Sequence, residues 1–202
     1  MRTDSQQRIT ILHAAMHVFA HQGLEGSSIR EVAKKAGVNS ALIYYYFEDK
    51  HTLFRESIRA SLEGILSELE QRRRPFHDAG DRLGYLVNAV FTYYQTHPER
   101  MRLMEVAISL HAELFANIIG TIFQKRAAIP LQILEEGIAM GQIRPMNPIQ
   151  IWWSILGMCV FSLHMIDVFS HMQSDILPIP VPDLETRRKG IVDMLIRGVS
   201  IS

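Results

Sequence analysis

Three consecutive tyrosines, Tyr44, Tyr45 and Tyr46, stand between Ser40 and Lys50 in the stretch from Gly37 to Lys50, GVNSALIYYYFEDK. Hydroxyl and ammonium groups gathered in this way suit hydrogen bonding to phosphate oxygens, which fixes register without reading sequence. Arg30 lies shortly upstream and supplies the side chain that most often pairs with guanine in a major groove. The chemistry on offer is recognition of a polyanion, not bond making. There is no pair of Glu-x-x-His motifs (Glu48 and His51 make a single one), no glycine-rich phosphate loop and no nucleophile beside a base in a recognisable frame. His164 and His171 recur on one helix face, but no third ligand is spaced to complete a metal site. No catalytic residue, metal or cofactor is therefore expected.

The elements that would carry these groups follow from local signals. Ser28-x-x-Glu31 is a capping box that opens a basic helix through Lys34 and Lys35 to Ala36. Gly37 makes the turn, and Asn39 caps the next helix. Helix, turn and helix within about 20 residues is helix-turn-helix grammar. At about 100° per residue, Ile43 and Phe47 point together into a core. Ala41, Leu42 and Tyr45 then face outward, with Ser40, Tyr44 and Tyr46 at the boundary. Leu42 offers an apolar contact to a thymine methyl. Lys50, at the start of the fourth helix, is placed for a phosphate.

The rest of the chain reads as helix too. A first helix is expected from Asp4 to His21, ended by Gly23, and a fourth from Asp49 towards Arg74. Further helices are expected near Asp81–Thr96, Glu99–Ser109, Ala112–Met140 with a break around Pro130, Pro148–His171 and Leu184–Val199. The alternating prolines from Leu177 to Asp183 exclude helix there. The expected fold is all-α, with a helix-turn-helix domain over residues 1–50 and a helical bundle over residues 51–202.

The 202 residues carry 48 % hydrophobic content and zero net charge, which argues for a real core and against non-specific coating of nucleic acid. The single cysteine, Cys159, fits a reducing compartment, and the polar N-terminus lacks the order of a signal peptide. A cytoplasmic protein is expected. The uncharged run Ile151–Leu163 falls short of the roughly 20 apolar residues of a membrane span, so an interface helix is expected instead.

The residues Ile11, Ala15, Phe19, Gly23, Ser28, Ile29, Val32, Ala33, Ala36, Gly37, Val38, Tyr44, Phe47, Lys50 and Leu53 resemble the N-terminal pattern of the TetR family of transcriptional regulators. The resemblance covers about the first quarter of the chain. It implies a DNA-binding regulator, in most cases a repressor, that forms a homodimer through the last two helices and responds to a small-molecule effector. It places Ser28, Arg30, Asn39, Ser40, Ala41, Leu42, Tyr44, Tyr45, Tyr46 and Lys50 at a double-stranded DNA operator. The effector would meet Phe91, Tyr94, Met101, Met104, Ile108, His111, Phe115, Met158, Phe161, His164 and Met165. Several of the ten methionines fall in or near that set, as an adaptable cavity for a largely apolar molecule would require. Two other readings stay open at this point: a regulator whose C-terminal domain binds a protein partner, and a helical-bundle enzyme.

Overall fold

A computed structural model describes residues 4–125, 129–171 and 181–200. Among them lie ten helices: α1 (Asp4–Gln22), α2 (Ile29–Ala36), α3 (Ser40–Phe47), α4 (Lys50–Gln71), α5 (Ala79–Thr96), α6 (Pro98–Leu110), α7 (Ala112–Lys125), α8 (Ile129–Ala139), α9 (Pro148–Ser170) and α10 (Leu184–Val199). The all-helical expectation holds. The break expected around Pro130 separates α7 from α8, and Pro130 falls in the first turn of α8. The fourth helix stops at Gln71, short of Arg74. Most of the proline-rich segment, residues 172–180, lies outside the described residues.

The described chain divides into two compact units, Met1–Gly64 with His97–Lys125, and Ile65–Thr96 with Arg126–Ser202. The first unit is thus larger than the residue 1–50 segment expected from sequence. The reason is packing: α6 lies along α1, and α7 packs on α6. Its core is built from Ile11, Ala15 and Phe19 of α1, Val32 of α2, Ile43 and Phe47 of α3, and Phe54 of α4, all buried. Phe19 and Phe54 meet edge to face at 5.1 Å, a favoured aromatic geometry.

In the second unit α5 packs against α8, α9 and α10. Arg82 of α5 is almost fully buried there. A buried charge needs partners, and Arg82 has them. Its Nη1 donates to the Ile133 carbonyl at 2.7 Å, Nε and Nη2 donate to Gln142 Oε1 at 3.3 and 3.2 Å, and the guanidinium lies 4.8 Å from the Phe76 ring centre. Gly137 makes room for it.

Helix α9 corrects one sequence argument. Its Pro148–Ile166 stretch of 19 residues is long and apolar enough to cross a membrane by length and composition, and 28 % of it is buried. Length alone therefore does not exclude a span. Among the described residues α9 packs on α5, α8 and α10 and leaves Trp153, Phe161 and Val168 exposed.

Candidate nucleic-acid interface

The helix-turn-helix is set by its caps. Ser28 Oγ accepts from the Glu31 amide at 3.2 Å, while the Ser28 amide donates to Glu31 Oε2 at 2.8 Å. This reciprocal pair satisfies two backbone donors that the first turn of α2 would leave bare. The Ser28 hydroxyl is the largest cause holding the Glu31 carboxyl below its ordinary range. Gly37 closes α2 with φ 68°, a left-handed conformation that a Cβ would strain. Asn39 Oδ1 then accepts from the Leu42 amide at 2.8 Å and starts α3.

Burial on α3 follows the helical period. Ile43 and Phe47 are buried and anchor the helix from beneath. Tyr45 is 75 % exposed and Tyr44 53 %. Ala41 is exposed, and Ser40 and Leu42 are half-buried at the rim. Arg30 of α2 is exposed as well. The surface thus presents two tyrosine hydroxyls, a rim of small or apolar groups and one guanidinium.

Besides Asn39, which caps α3, three members of the predicted set are already engaged. The Tyr46 hydroxyl donates to the Asp4 carboxylate and lies 3.3 Å from Gln7 Oε1, so its ring braces α3 against α1. The hydrogen bond to Asp4 pushes the phenol up to about 12. Lys50 donates to the Ser27 carbonyl at 3.1 Å and tethers the start of α4 to the loop before α2. The Ser28 hydroxyl is likewise within 2.7 Å of Glu31 Oε2. The α3–α4 junction is also strained: Glu48 has φ 60°, the one positive value among the described non-glycine residues. Asp49 follows, and its Oδ1 accepts from the Thr52 amide at 2.6 Å to cap α4.

The eleven residues expected around an effector fall in both units. In the first, Met101 and Met104 are buried, Ile108 is exposed, Phe115 is half-buried, and His111 meets the Phe54 ring edge to face at 5.0 Å. In the second, Phe91 and Tyr94 are buried, and Met158, His164 and Met165 are half-buried. Phe161 is 65 % exposed. A concavity of about 540 Å³ in the second unit is lined by Met146, Gln150, Ile151, Trp153, Ser154, Leu195 and Val199, none of them in the expected set. It lies on α9 and α10, beside Trp153, which is 68 % exposed. A tryptophan in an apolar helix is the sequence signal for such a surface.

Comparison with known proteins places the fold and surface in context. The pattern for "Bacterial regulatory proteins, tetR family" matches residues 11–57, and that for "Tetracyclin repressor-like, C-terminal domain" matches residues 81–195. The chain is 30 % identical to the probable HTH-type transcriptional regulator YttP of Bacillus subtilis, over 63 % of this chain and 62 % of that protein. It is 32 % identical to the HTH-type transcriptional repressor NicS of Pseudomonas putida, over 68 % of this chain and 66 % of that protein. The chain therefore spans just under two thirds of these curated relatives. Among solved structures, the transcriptional regulator FadR from Bacillus subtilis in complex with stearoyl-CoA shares the fold, with a TM-score of 0.73 at 18 % identity over 94 % of this chain and 98 % of that one.

Proposed function

The chain belongs to the TetR family of bacterial regulatory proteins, and on that premise we propose that it is a cytoplasmic repressor that holds a palindromic operator as a homodimer and releases it on binding a largely apolar small molecule. The enzyme reading falls away with the family assignment. The observation that carries the proposal is the exposed aromatic and hydroxylic face of α3, held outward by the burial of Ile43 and Phe47. Tyr44 and Tyr45 donate to backbone phosphates, Arg30 reads a base pair, and Ala41 and Leu42 meet thymine methyls. Ser28, Asn39 and Ser40 support the two helix starts at the DNA surface. Lys50 reaches a phosphate if it exchanges its bond to Ser27, while Tyr46 acts through the position of α3.

Two copies are needed because one recognition helix reads only a half-site, and half-sites recur about 34–36 Å apart. The uncovered apolar residues of α9 and α10, Trp153, Phe161, Val168 and Met194 among them, supply the material for a two-fold contact. The effector reading rests on the apolar and methionine-rich side chains named above. The stearoyl-CoA bound by the structurally similar FadR makes long-chain acyl-CoA esters the first class to try. Release requires the effector to prefer the DNA-free state by about 1–3 kcal/mol, an ordinary coupling energy.

Fluorescence anisotropy on a bound DNA fragment, titrated with acyl-CoA esters of increasing chain length, tests the release step. Affinity for DNA is expected to fall roughly 5–150-fold at saturating effector. Equal affinity with and without every ester that binds the protein would contradict the proposal.

A further inference from the structure

His13, His17 and His21 recur along one face of α1, the element packed between α2 and α6. The rings of His17 and His21 stack with centroids 4.5 Å apart and planes inclined by 24°. His21 Nδ1 lies 2.7 Å from the His17 carbonyl oxygen, and its Nε2 lies 3.2 Å from Arg102 Nη1 of α6. His17 Nε2 lies 3.3 Å from Lys35 Nζ of α2. Guanidinium and ammonium groups only donate, so both Nε2 atoms accept, and His21 Nδ1–H donates to the carbonyl. Both imidazoles are therefore neutral in this arrangement.

That pairing is unlike the ion pairs of the chain. Arg8, Arg72, Arg74 and Arg197 each meet a carboxylate. Lys35 and Arg102 meet neutral rings instead. The charged groups felt by His13 and His17 are Lys35, Arg100 and the opposing Glu99, and Arg102 stands on His21. Positive charge is in excess. A phosphate oxygen in place of an imidazole lone pair would form a shorter, charge-assisted bond to either cation. On protonation the rings would turn from acceptors into donors towards the same oxygen.

We propose that the notch between α1, α2 and α6, framed by His17, His21, Lys35 and Arg102, binds a small phosphate-bearing anion. At about 100° per residue, Lys35 lies roughly 140° around α2 from Arg30. The notch therefore opens away from the surface assigned to DNA, which favours a free phosphate compound over the operator backbone. Binding there draws protons onto the rings, so site occupancy and histidine charge are linked.

The test is titration of the full-length protein, without DNA, by inorganic pyrophosphate, followed through the histidine ring NMR signals across a pH series. Two ring titration midpoints are expected to rise on saturation. The double variant Lys35→Gln, Arg102→Gln, both on exposed side chains, is expected to bind pyrophosphate roughly tenfold more weakly or worse. Unmoved midpoints, or equal binding by the variant, would overturn the proposal. A parallel arm measures operator affinity against salt. A slope reduced by about 2 in the variant, with pyrophosphate binding intact, would make these residues DNA backbone contacts and overturn the small-ligand assignment. Because pyrophosphate binding is read without DNA, it stands or falls independently of the operator reading.

Discussion

Tyr46 donates its hydroxyl to the carboxylate of Asp4 and so ties the C-terminal end of α3 to the first turn of α1. A residue that follows two exposed tyrosines thus works inward. Tyr46→Phe should lower the thermal midpoint while leaving operator contacts by Tyr44 and Tyr45 in place. The bond also sets a pH dependence. The folded phenol is raised from 10.0 to about 12, so its stabilisation is fully present below pH 10 and is lost as pH rises through 12. Tyr85 is also raised, chiefly by burial, so absorbance of tyrosinate in the folded protein should show a late-titrating fraction that Tyr46→Phe reduces without abolishing. A Tyr46→Phe protein of unchanged melting and unchanged alkaline titration would refute this role.

Gly137 and Arg82 make the tightest fit of the second unit. A Cβ at Gly137 would stand 2.8 Å from Arg82 Cδ, 2.9 Å from its Nε and 2.9 Å from Ile143 Cδ1. Arg82 cannot yield, because its guanidinium is held by Ile133, Gln142 and Phe76. Gly137→Ala should therefore cost about 1–3 kcal/mol despite its better helix propensity. Chemical denaturation read by circular dichroism decides the sign, and a stabilised variant would show that Arg82 repacks freely.

His13 and His17 are held below the ordinary imidazole value of 6.5, in both cases mainly by burial and then by neighbouring cations, Arg100 for His13 and Lys35 for His17. The unfolded chain then binds more protons than the folded one just below that value. Stability is present above pH 6.5 and falls as pH drops through 6.5 towards the lowered folded values. Melting temperatures should decline across that window, and a phosphate anion bound at His17 and His21 should offset the decline. A flat profile would remove the neutral-imidazole account.

Trp153 is the more exposed of the two tryptophans, and on α9 it shares its exposure with Phe161 and Val168 among the described residues. If α9 and α10 form the two-fold contact, Trp153→Ala should weaken dimerisation by about 2 kcal/mol or more, as central aromatic residues do. Analytical ultracentrifugation at low concentration should show monomer, and operator affinity should fall with it. An intact dimer in the variant would place the contact elsewhere.

Local structure was legible in the sequence because its causes are local. The Ser28–Glu31 box, the Gly37 turn, the Asn39 and Asp49 caps and the inward pair Ile43 and Phe47 each depend on residues within one or two turns. What escaped depends on long-range contact. Nothing near Tyr46 announces Asp4, nothing near Lys50 announces the Ser27 carbonyl, and no spacing rule links Arg82 to Gly137. The packing of α6 on α1, which enlarges the first unit, is of the same kind. Apolar periodicity marks a helix face as covered without saying whether core, effector or partner covers it. For that reason the residues named for an effector are a mixture of buried side chains such as Phe91 and exposed ones such as Phe161.

Reading of a palindrome by the α2–α3 surfaces of a dimer underlies the proposed function. Its most direct test is selection of bound fragments from a random DNA pool by wild-type protein and Arg30→Ala in parallel, at moderate and raised salt. An enriched palindrome with half-sites about 34–36 Å apart is expected, with a loss of about 1–3 kcal/mol in the variant concentrated on one base pair of each half-site. An enriched site without two-fold symmetry, or no enrichment at either salt with or without effector, would contradict it.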